Sequence, residues 1–250
     1  MSFYSIPRKS YESYLPIACS DGFLRKGQSI GSRKELRLSW IGRFCDFKIY
    51  ILNYLIQELS KSSIELGLEL VLYIIGEGPH ASKLRISENT HERFNVVLLG
   101  SLSKDDLDRF LISNVDINAS MGTSALEAAK FGIPTIVLDF DYKRISRKYR
   151  FRWLHDTVEY DLGHLITDSD YEGYTMNEVI KLLMTNQSMI SERAYYYYRT
   201  NHSLESVSQL LIEAILSTKF SVNEMNPKLF RKGVLRNFYE LNKYGKINRL

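Results

Sequence analysis

Between residues 38 and 139, short apolar runs alternate with segments whose apolar residues recur every three or four positions. The runs are rich in Leu, Ile and Val and predict strands, whereas the recurrence predicts helices between them. The predicted strands cover residues 38–41, 70–75, 96–99, 115–119 and 135–138. Because strands that alternate with helices pair in parallel, the pattern predicts a doubly wound α/β sheet with helices on both faces, a Rossmann-like architecture.

Helices are predicted from apolar spacing together with start and stop signals. Ser103 followed by Asp106 marks a helix start, and Gly132 marks a helix end. The apolar positions at helical spacing are Leu52, Leu55, Ile56 and Leu59 in the first predicted helix and Leu107, Phe110 and Leu111 in the second. Later predicted helices cover residues 123–130, 176–184 and 207–215. The last two are predicted to cover the sheet as C-terminal helices.

The same pattern divides the chain into three parts. Residues 1–37 have no clean periodicity and are predicted to be a connecting segment or the remnant of an N-terminal domain. Residues 38–216 form the predicted α/β domain, and residues 217–250 form a basic C-terminal extension.

Composition places the chain among ordinary globular proteins. It has 250 residues, of which 44% are hydrophobic and 25% are charged. Cys19 and Cys45 fit neither a disulfide framework nor a paired metal-ligand spacing, so a reducing compartment is expected and structural zinc is not. The N-terminus lacks the apolar core of a signal peptide, and no apolar run approaches the roughly 18 residues of a membrane span. We therefore expect a soluble, cytoplasmic protein.

Positive charge is concentrated in two places, although the net charge is only +4. Residues 217–250 hold eight Lys or Arg against two Glu, and residues 143–152 hold six Lys or Arg. Each cluster is either a solvated face or a surface attracted to an anionic membrane or a lipid-phosphate acceptor, which would place the protein peripherally at the inner face of a membrane. Nucleic acid is not an expected partner, because no base-stacking or groove-reading motif accompanies the charge.

Two glycine-containing loops follow predicted strands, at the edge where parallel sheets bind ligands. The first begins with Gly42 and Arg43 and reaches Lys48. Glycine permits a close backbone turn, and two cations five residues apart can converge on one diphosphate. The second loop contains Gly76 and Gly78. Each loop alone is a weak signal, but both fall on the predicted ligand edge.

A third loop leads from a predicted strand into a predicted helix through Gly122, Thr123 and Ser124. Backbone N–H groups at a helix start are unpaired, and the helix dipole favours an anion there, so a phosphate is the expected ligand. Glu127 lies about one turn further on, where its carboxylate could accept hydrogen bonds from sugar hydroxyls. The three loops together predict a site for a phosphorylated sugar or a nucleotide.

Four motifs in this order resemble the C-terminal, nucleotide-sugar-binding half of retaining GT-B glycosyltransferases of the group 1 type, which build bacterial surface polysaccharides. The motifs are residues 40–43 with Lys48, residues 74–79, residues 96–102, and residues 124–129 with residues 132–134. The resemblance extends over roughly residues 38–216.

The resemblance implies a role for each candidate residue. Arg43 and Lys48 would hold the donor's diphosphate beside Gly42 and neutralise the charge that grows on the leaving nucleotide, so no metal is required. Glu127 would hold the ribose hydroxyls. The other implied positions are Gly122, Thr123 and Ser124 for the diphosphate, Gly100, Ser101 and Leu102 for the base, and Gly76 and Gly78 in a further donor-site loop. The resemblance identifies no catalytic residue and no cofactor.

The chain departs from the family pattern in two respects. Many members have a second glutamate eight residues before the one that Glu127 matches, where it contacts the donor sugar, and this chain has Ala119 there. A complete enzyme also has an N-terminal acceptor domain, for which residues 1–37 are too short. We therefore expect half of a split enzyme, a truncated form or a degenerate binding domain.

The implied function is transfer of a sugar from a nucleotide diphosphate sugar to a polysaccharide or lipid-linked acceptor. One alternative is a non-catalytic nucleotide-sugar-binding subunit or relic that needs a partner chain with an acceptor domain. Another is a nucleotide-sugar epimerase-like enzyme on the same architecture, because fold does not determine function. His155 and His164 are single histidines, which are more often packed or solvated than catalytic.

Overall fold

The computed structural model describes residues 15–25, 35–167 and 172–217. The predicted basic extension lies outside the described residues, apart from Ser217. The sheet and the loops at its edge belong to the first of two compact units, which ends at Leu210.

Six strands form one sheet. They are β1 (Glu35–Ile41), β2 (Glu69–Ile75), β3 (Phe94–Gly100), β4 (Ile117–Ser120), β5 (Thr135–Val137) and β6 (Arg152–Trp153). Their order across the sheet is β3-β2-β1-β4-β5-β6, with β1 to β5 parallel and β6 antiparallel to β5. The prediction of a doubly wound, mostly parallel sheet is confirmed. The sequence pattern does not predict β6, because its two residues stand at the end of a basic cluster.

Pairing between neighbours moves several strand ends away from the predicted bounds. Strand β1 begins at Glu35 rather than at residue 38, because it pairs in register with β2 from Glu35 opposite Glu69. Strand β4 begins at Ile117 rather than at residue 115, because Val115 still belongs to the end of the preceding helix. Apolar runs therefore located the strands, and backbone pairing determined where they end.

Five helices accompany the strands: α1 (Asp46–Leu66), α2 (Lys104–Asn114), α3 (Thr123–Ala129), α4 (Met176–Asn201) and α5 (Leu204–Ser217). As predicted, Ser103 caps α2, and its side chain accepts a hydrogen bond from the N–H of Asp106. Helix α4 continues far beyond the predicted residues 176–184 and has one non-helical residue, Asn186, inside it. In the described part of the chain, no helix has the length and apolarity needed to cross a membrane.

Both faces of the sheet are covered by helices. On one face, the fully buried Leu38 and Leu72 pack with Leu55 of α1 and Leu183 of α4. The other face has its own apolar clusters, whose members include Ile41 and Ile75 of the sheet, Leu111 of α2, and Ala128, Leu126 and Phe131 in or next to α3. This burial makes the sheet a rigid support for the loops at its edge.

The strand order reverses between β1 and β4, which lie side by side although they are far apart in the chain. Polar side chains join their carboxyl ends. The N–H of Ile41 donates to Oγ of Ser120 at 3.0 Å, and Oγ of Ser39 donates to Oδ1 of Asn118 at 3.0 Å. In open α/β sheets, such a reversal opens a crevice between the loops that follow the two strands, and ligands bind there. The loops that begin at Gly42 and after Ser120 therefore flank this position.

Candidate functional site

An open cleft of about 410 Å³ lies at the carboxyl ends of β1, β2 and β3. Its lining residues are Ile41, Gly42, Arg43, Ile75, Gly76, Glu77, Ser101, Leu102 and Leu107. The cleft thus brings together predicted residues from three separate loops. The other predicted residues, which do not line it, are Lys48, Gly78, Gly100, Gly122, Thr123, Ser124 and Glu127.

Glycines allow the loops after β1, β2 and β3 to lie backbone against backbone. The N–H of Gly76 donates to the carbonyl of Gly100 at 2.7 Å, and the N–H of Gly42 donates to the carbonyl of Ile75 at 3.0 Å. Gly76 has a φ of +132°, and a Cβ added there would lie only 2.0 Å from the carbonyl oxygen of Gly42. A Cβ at Gly78 would similarly meet the carbonyl oxygen of Phe44 at 2.4 Å. These glycines therefore make the close approach of the loops possible.

Two cations stand at the first loop. A Cβ on Gly42 would be 3.6 Å from Nζ of Lys48, so this ammonium group lies over the start of the loop. Burial lowers the pKa of Lys48, and the neighbouring Cys45 opposes that shift only in part. The Arg43 side chain is exposed. No described carboxylate forms an ion pair with either residue. Such cations favour a bound anion, which phosphate oxygens supply.

The loop after β4 adds a helix start. Gly122 has a φ of +64° and occupies the N-cap of α3, where it has no side chain to bond the N–H groups of the first turn. No atom lies within 4 Å of a Cβ added to Gly122, so the space beside it is open. The N–H of Gly122 itself donates to the carbonyl of Leu162 at 2.6 Å. The Leu162 carbonyl thus holds the loop in place, while the space beside Gly122 and the exposed Thr123 stays open.

Glu127 is held by a buried lysine that the sequence analysis did not single out. Oε2 of Glu127 lies 2.5 Å from Nζ of Lys130, which also pairs with Asp108 at 2.9 Å and donates to Oγ of Ser20 at 3.3 Å. The Lys130 side chain is 0% exposed, whereas that of Glu127 is 25% exposed. Burial by itself would lower the pKa of Lys130, but hydrogen bonds and charge from Glu127 and Asp108 raise it above its ordinary value of 10.5.

The signal for this pair was visible in the sequence. Lys130 follows Glu127 by three residues, the spacing at which helical side chains meet, and it stands among the apolar residues Ala128, Ala129 and Phe131. A lysine inside an apolar helix face needs a carboxylate partner. The pair fixes the position of the Glu127 carboxylate, while the role of Glu127 at a ribose stays a prediction.

A second ionic network follows β5. The fully buried Asp139 accepts hydrogen bonds from Nη2 of Arg152 at 2.6 Å and from the hydroxyl of Tyr149 at 3.2 Å. Nη2 of Arg152 also lies 3.1 Å from Oδ2 of Asp161, and Nδ1 of His164 lies 2.8 Å from the same oxygen. Burial would lower the pKa of Arg152, but the charges and hydrogen bonds of Asp139 and Asp161 outweigh it and raise that pKa. The network joins β5, β6 and the loop that follows them.

The same network has the donor set of a metal site but already contains a cation. Asp139, Asp161 and His164 each offer one ligand atom, and these atoms lie within 4.8 Å of one another. The guanidinium group of Arg152 contacts all three residues and offsets part of the charge of the two carboxylates. We therefore interpret the cluster as an ion-pair network that positions residues 161–164 beside Gly122, to which the Leu162 carbonyl is bonded.

This network should make stability depend on acid. Burial would raise the pKa of Asp161, but hydrogen bonds from Gly163 and His164 and the charge of Arg152 hold it below its ordinary value of 3.8. A carboxyl with a lowered pKa stabilises the fold fully above the unfolded-state pKa and loses that effect as pH falls through the folded-state pKa. We expect Asp161→Asn to unfold at lower urea than the wild type at about pH 7, with the difference shrinking at about pH 3. An equal difference at both pH values would contradict this electrostatic role.

The fold and the position of the cleft define a structural class. A doubly wound sheet with a cleft at its carboxyl edge, beside a reversal of strand order, is the architecture of nucleotide-binding α/β domains. The chain matches no protein-family model, and its sequence matches no curated protein. Its structure, however, matches solved structures of glycosyltransferases.

Two of these structures are informative. The lipopolysaccharide outer core galactosyltransferase WaaB, in its apo form, matches 82% of this chain with a TM-score of 0.55 and 16% identity. A point mutant of TarM from S. aureus, in complex with fondaparinux, alpha-GlcNAc-glycerol and UDP, matches 82% of this chain with a TM-score of 0.50 and 18% identity. The matches span 55% of the WaaB chain and 38% of the TarM chain. This chain therefore has the fold of one half of a GT-B glycosyltransferase.

Proposed function

We propose that this chain is the donor-binding half of a glycosyltransferase that transfers a sugar from a nucleotide diphosphate sugar to a saccharide or lipid-linked acceptor. The observation that carries the proposal is the cleft at the carboxyl edge of the sheet, where three glycine-bearing loops meet next to two cations without a described acidic partner. The fold shared with WaaB and TarM supports it, and the TarM structure contains UDP.

Arg43 and Lys48 are the proposed diphosphate ligands. Lys48 is half-buried with a lowered pKa, so a phosphate would relieve the cost of its burial. As the glycosidic bond breaks, negative charge grows on the leaving nucleotide, and cations already in place stabilise that charge. The N–H groups that follow Gly122 at the start of α3 would add to the same site. We propose that these groups supply the charge stabilisation without a metal.

The proposed contacts of the nucleoside are the third loop of the cleft and Glu127, which lies outside the cleft lining. Leu102 and Leu107 offer apolar side chains to a flat base, beside Ser101. Glu127, oriented by Lys130, is the proposed partner of the ribose hydroxyls. Glu77 was not among the predicted residues, yet it lines the cleft and its Oε1 accepts a hydrogen bond from the N–H of Ser101 at 3.4 Å. It therefore joins the second loop to the third.

Nucleotide binding should raise the melting temperature of the purified chain. A ligand at about 100 times its dissociation constant stabilises a protein by about 2.7 kcal/mol, so UDP or GDP should give a clear shift. We expect Lys48→Ala and Glu127→Gln to reduce this shift, measured against each variant's own ligand-free melting temperature. Lys61→Ala is the matched control on α1 and should keep the full shift, because Lys61 pairs with Glu58 one turn away and does not line the cleft. The shift should persist in EDTA.

A folded sample that shows no shift with any nucleoside diphosphate at millimolar concentration would contradict the proposal. A full shift in both site variants would leave nucleotide binding intact and show that the residues were assigned wrongly.

A non-catalytic nucleotide-sugar-binding subunit is the second candidate function. Ala119, fully buried in β4, stands where the resembling family has a sugar-contacting glutamate, so no carboxylate is available at that position. An assay for release of free nucleotide from a nucleotide sugar separates the two candidates. It is run with a lipid-linked acceptor and with a partner chain that carries an acceptor domain. Binding without release in all these conditions favours the subunit.

A further inference from the structure

A second cavity, larger than the cleft, lies on another part of the surface. Its volume is about 610 Å³, and it shares no lining residue with the cleft. One wall is the face of α1 that carries Tyr50, Asn53 and Gln57, another is the segment 82–89 after β2, and the third is the loop after β5 at Arg144. The donor site proposed above uses none of these residues.

Side-chain hydrogen bonds hold the walls of this cavity in place. The Asn53 amide donates to the carbonyl of Lys83 at 2.9 Å, and its Oδ1 accepts from the N–H of Arg85 at 2.9 Å. Further along, Oγ of Ser60 donates to the carbonyl of Asn89 at 2.7 Å. The segment is therefore fixed against α1 before any ligand arrives, which reduces the entropy cost of binding.

The cavity is positively charged. Its lining includes Lys83, Arg85 and Arg144, which are exposed, against the single carboxylate of Glu88. Among the described residues, none of these three cations forms an ion pair. The basic cluster of residues 143–152, for which the cleft gives no use, supplies Arg144 and continues the positive charge. A ligand that fits here is an anion.

The remaining lining indicates what kind of anion. Pockets for compact apolar ligands are lined mainly by hydrophobic side chains, whereas this one combines amides, cations and two tyrosines. Asn53 and Gln57 can bond to hydroxyl groups, and the half-buried Tyr50 ring can pack against the C–H face of a sugar ring. A concave surface held in place also suits a chain of defined shape better than a flat lipid headgroup layer.

We propose that this cavity binds an acidic saccharide, with its anionic groups at Lys83, Arg85 and Arg144 and a sugar ring against Tyr50. The proposal is independent of the donor site, because it concerns a different cavity and a different ligand. It gives the basic cluster of residues 143–152 a specific use at Arg144.

Titration calorimetry at low salt with hexagalacturonate, maltohexaose and phosphatidylglycerol vesicles tests this site. Hexagalacturonate should bind, and the uncharged maltohexaose should bind about tenfold more weakly or not at all. The double variant Lys83→Ala with Arg144→Ala should weaken hexagalacturonate binding about tenfold. Lys104→Ala with Lys181→Ala removes the same charge from exposed positions outside the cavity and should bind as the wild type does. Tyr50→Ala should weaken binding with its circular dichroism spectrum unchanged.

Three outcomes would overturn the proposal. Equal loss in the two double variants would show attraction to net charge alone, and equal binding of maltohexaose would remove the role of the cations. Binding of vesicles without binding of hexagalacturonate would make the surface a membrane contact. The UDP-induced shift of the Lys83, Arg144 double variant and the hexagalacturonate binding of Lys48→Ala should both equal the wild type, so a failure at one site is separable from a failure at the other.

Discussion

Replacing Gly76 with alanine is expected to destabilise the domain by about 3 kcal/mol and to abolish the UDP-induced shift. The added Cβ would lie 2.0 Å from the carbonyl oxygen of Gly42, a backbone atom that cannot rotate away. The φ of +132° is also a conformation that residues with a Cβ rarely adopt. The loops after β1 and β2 would have to separate, which moves Arg43 away from the rest of the cleft. Urea unfolding and thermal shift with UDP measure both effects.

Gly67 provides the matched control for this substitution. It ends α1 with a φ of +66°, but no atom lies within 4 Å of an added Cβ. Gly67→Ala should therefore cost only about 1 kcal/mol of backbone strain and leave nucleotide binding unchanged. If Gly76→Ala proves as stable as Gly67→Ala, the two loops do not make the close contact on which the cleft depends.

Lys130→Met is expected to have the second large effect, a loss of about 3 to 5 kcal/mol in the free energy of unfolding. The fully buried ammonium is the charge partner of both Glu127 and Asp108, and removing it leaves two carboxylates without a counter-charge. Lys61→Met on the exposed surface removes a lysine of an ordinary helical pair and should cost about 0.5 kcal/mol or less. Chemical denaturation of both variants compares the two.

Two further measurements separate charge from packing at this position. Adding Glu127→Gln to Lys130→Met should recover part of the lost stability, because one of the two unpaired carboxylates is gone. The pKa of Lys130 is raised in the folded state, so its contribution is complete below the ordinary value of 10.5 and is lost as pH rises through the folded-state value. The stability difference between wild type and Lys130→Met should therefore shrink at strongly alkaline pH. A difference that is independent of pH would point to packing alone.

The candidate site was partly visible before the structure. Five of the predicted residues line one cleft: Gly42, Arg43, Gly76, Ser101 and Leu102. The sequence could predict them because each stands directly after an apolar run, and the parallel-sheet rule places the ends of such runs on one edge. Glu77 was missed because its neighbours Gly76 and Gly78 carried the turn signal, and nothing local distinguishes its carboxylate from a solvated one.

The networks around Lys130 and Asp139 were harder to predict from the sequence. Lys130 meets Glu127 through helical spacing, but Asp108 comes from another helix and Ser20 from the segment before the sheet. Asp139, Arg152 and Asp161 come from loops and from a two-residue strand, where no periodicity indicates which side chains will meet. Their pairing depends on how the loops cross, and that depends on the whole sheet.

Apolar periodicity, glycine positions and helix caps were sufficient to predict a parallel α/β sheet, its five parallel strands and the loops at its carboxyl edge. Each strand, helix and turn has its own pattern of residues close together in the chain, and the alternation of strands with helices indicates parallel pairing. Four features emerged only in the folded chain. They are the strand order, the contact of Gly76 with Gly42, the counter-charges of Lys130 and Arg152, and the basic cavity against α1. Each of these joins residues from distant segments, and the energy that selects such contacts comes from packing the complete core.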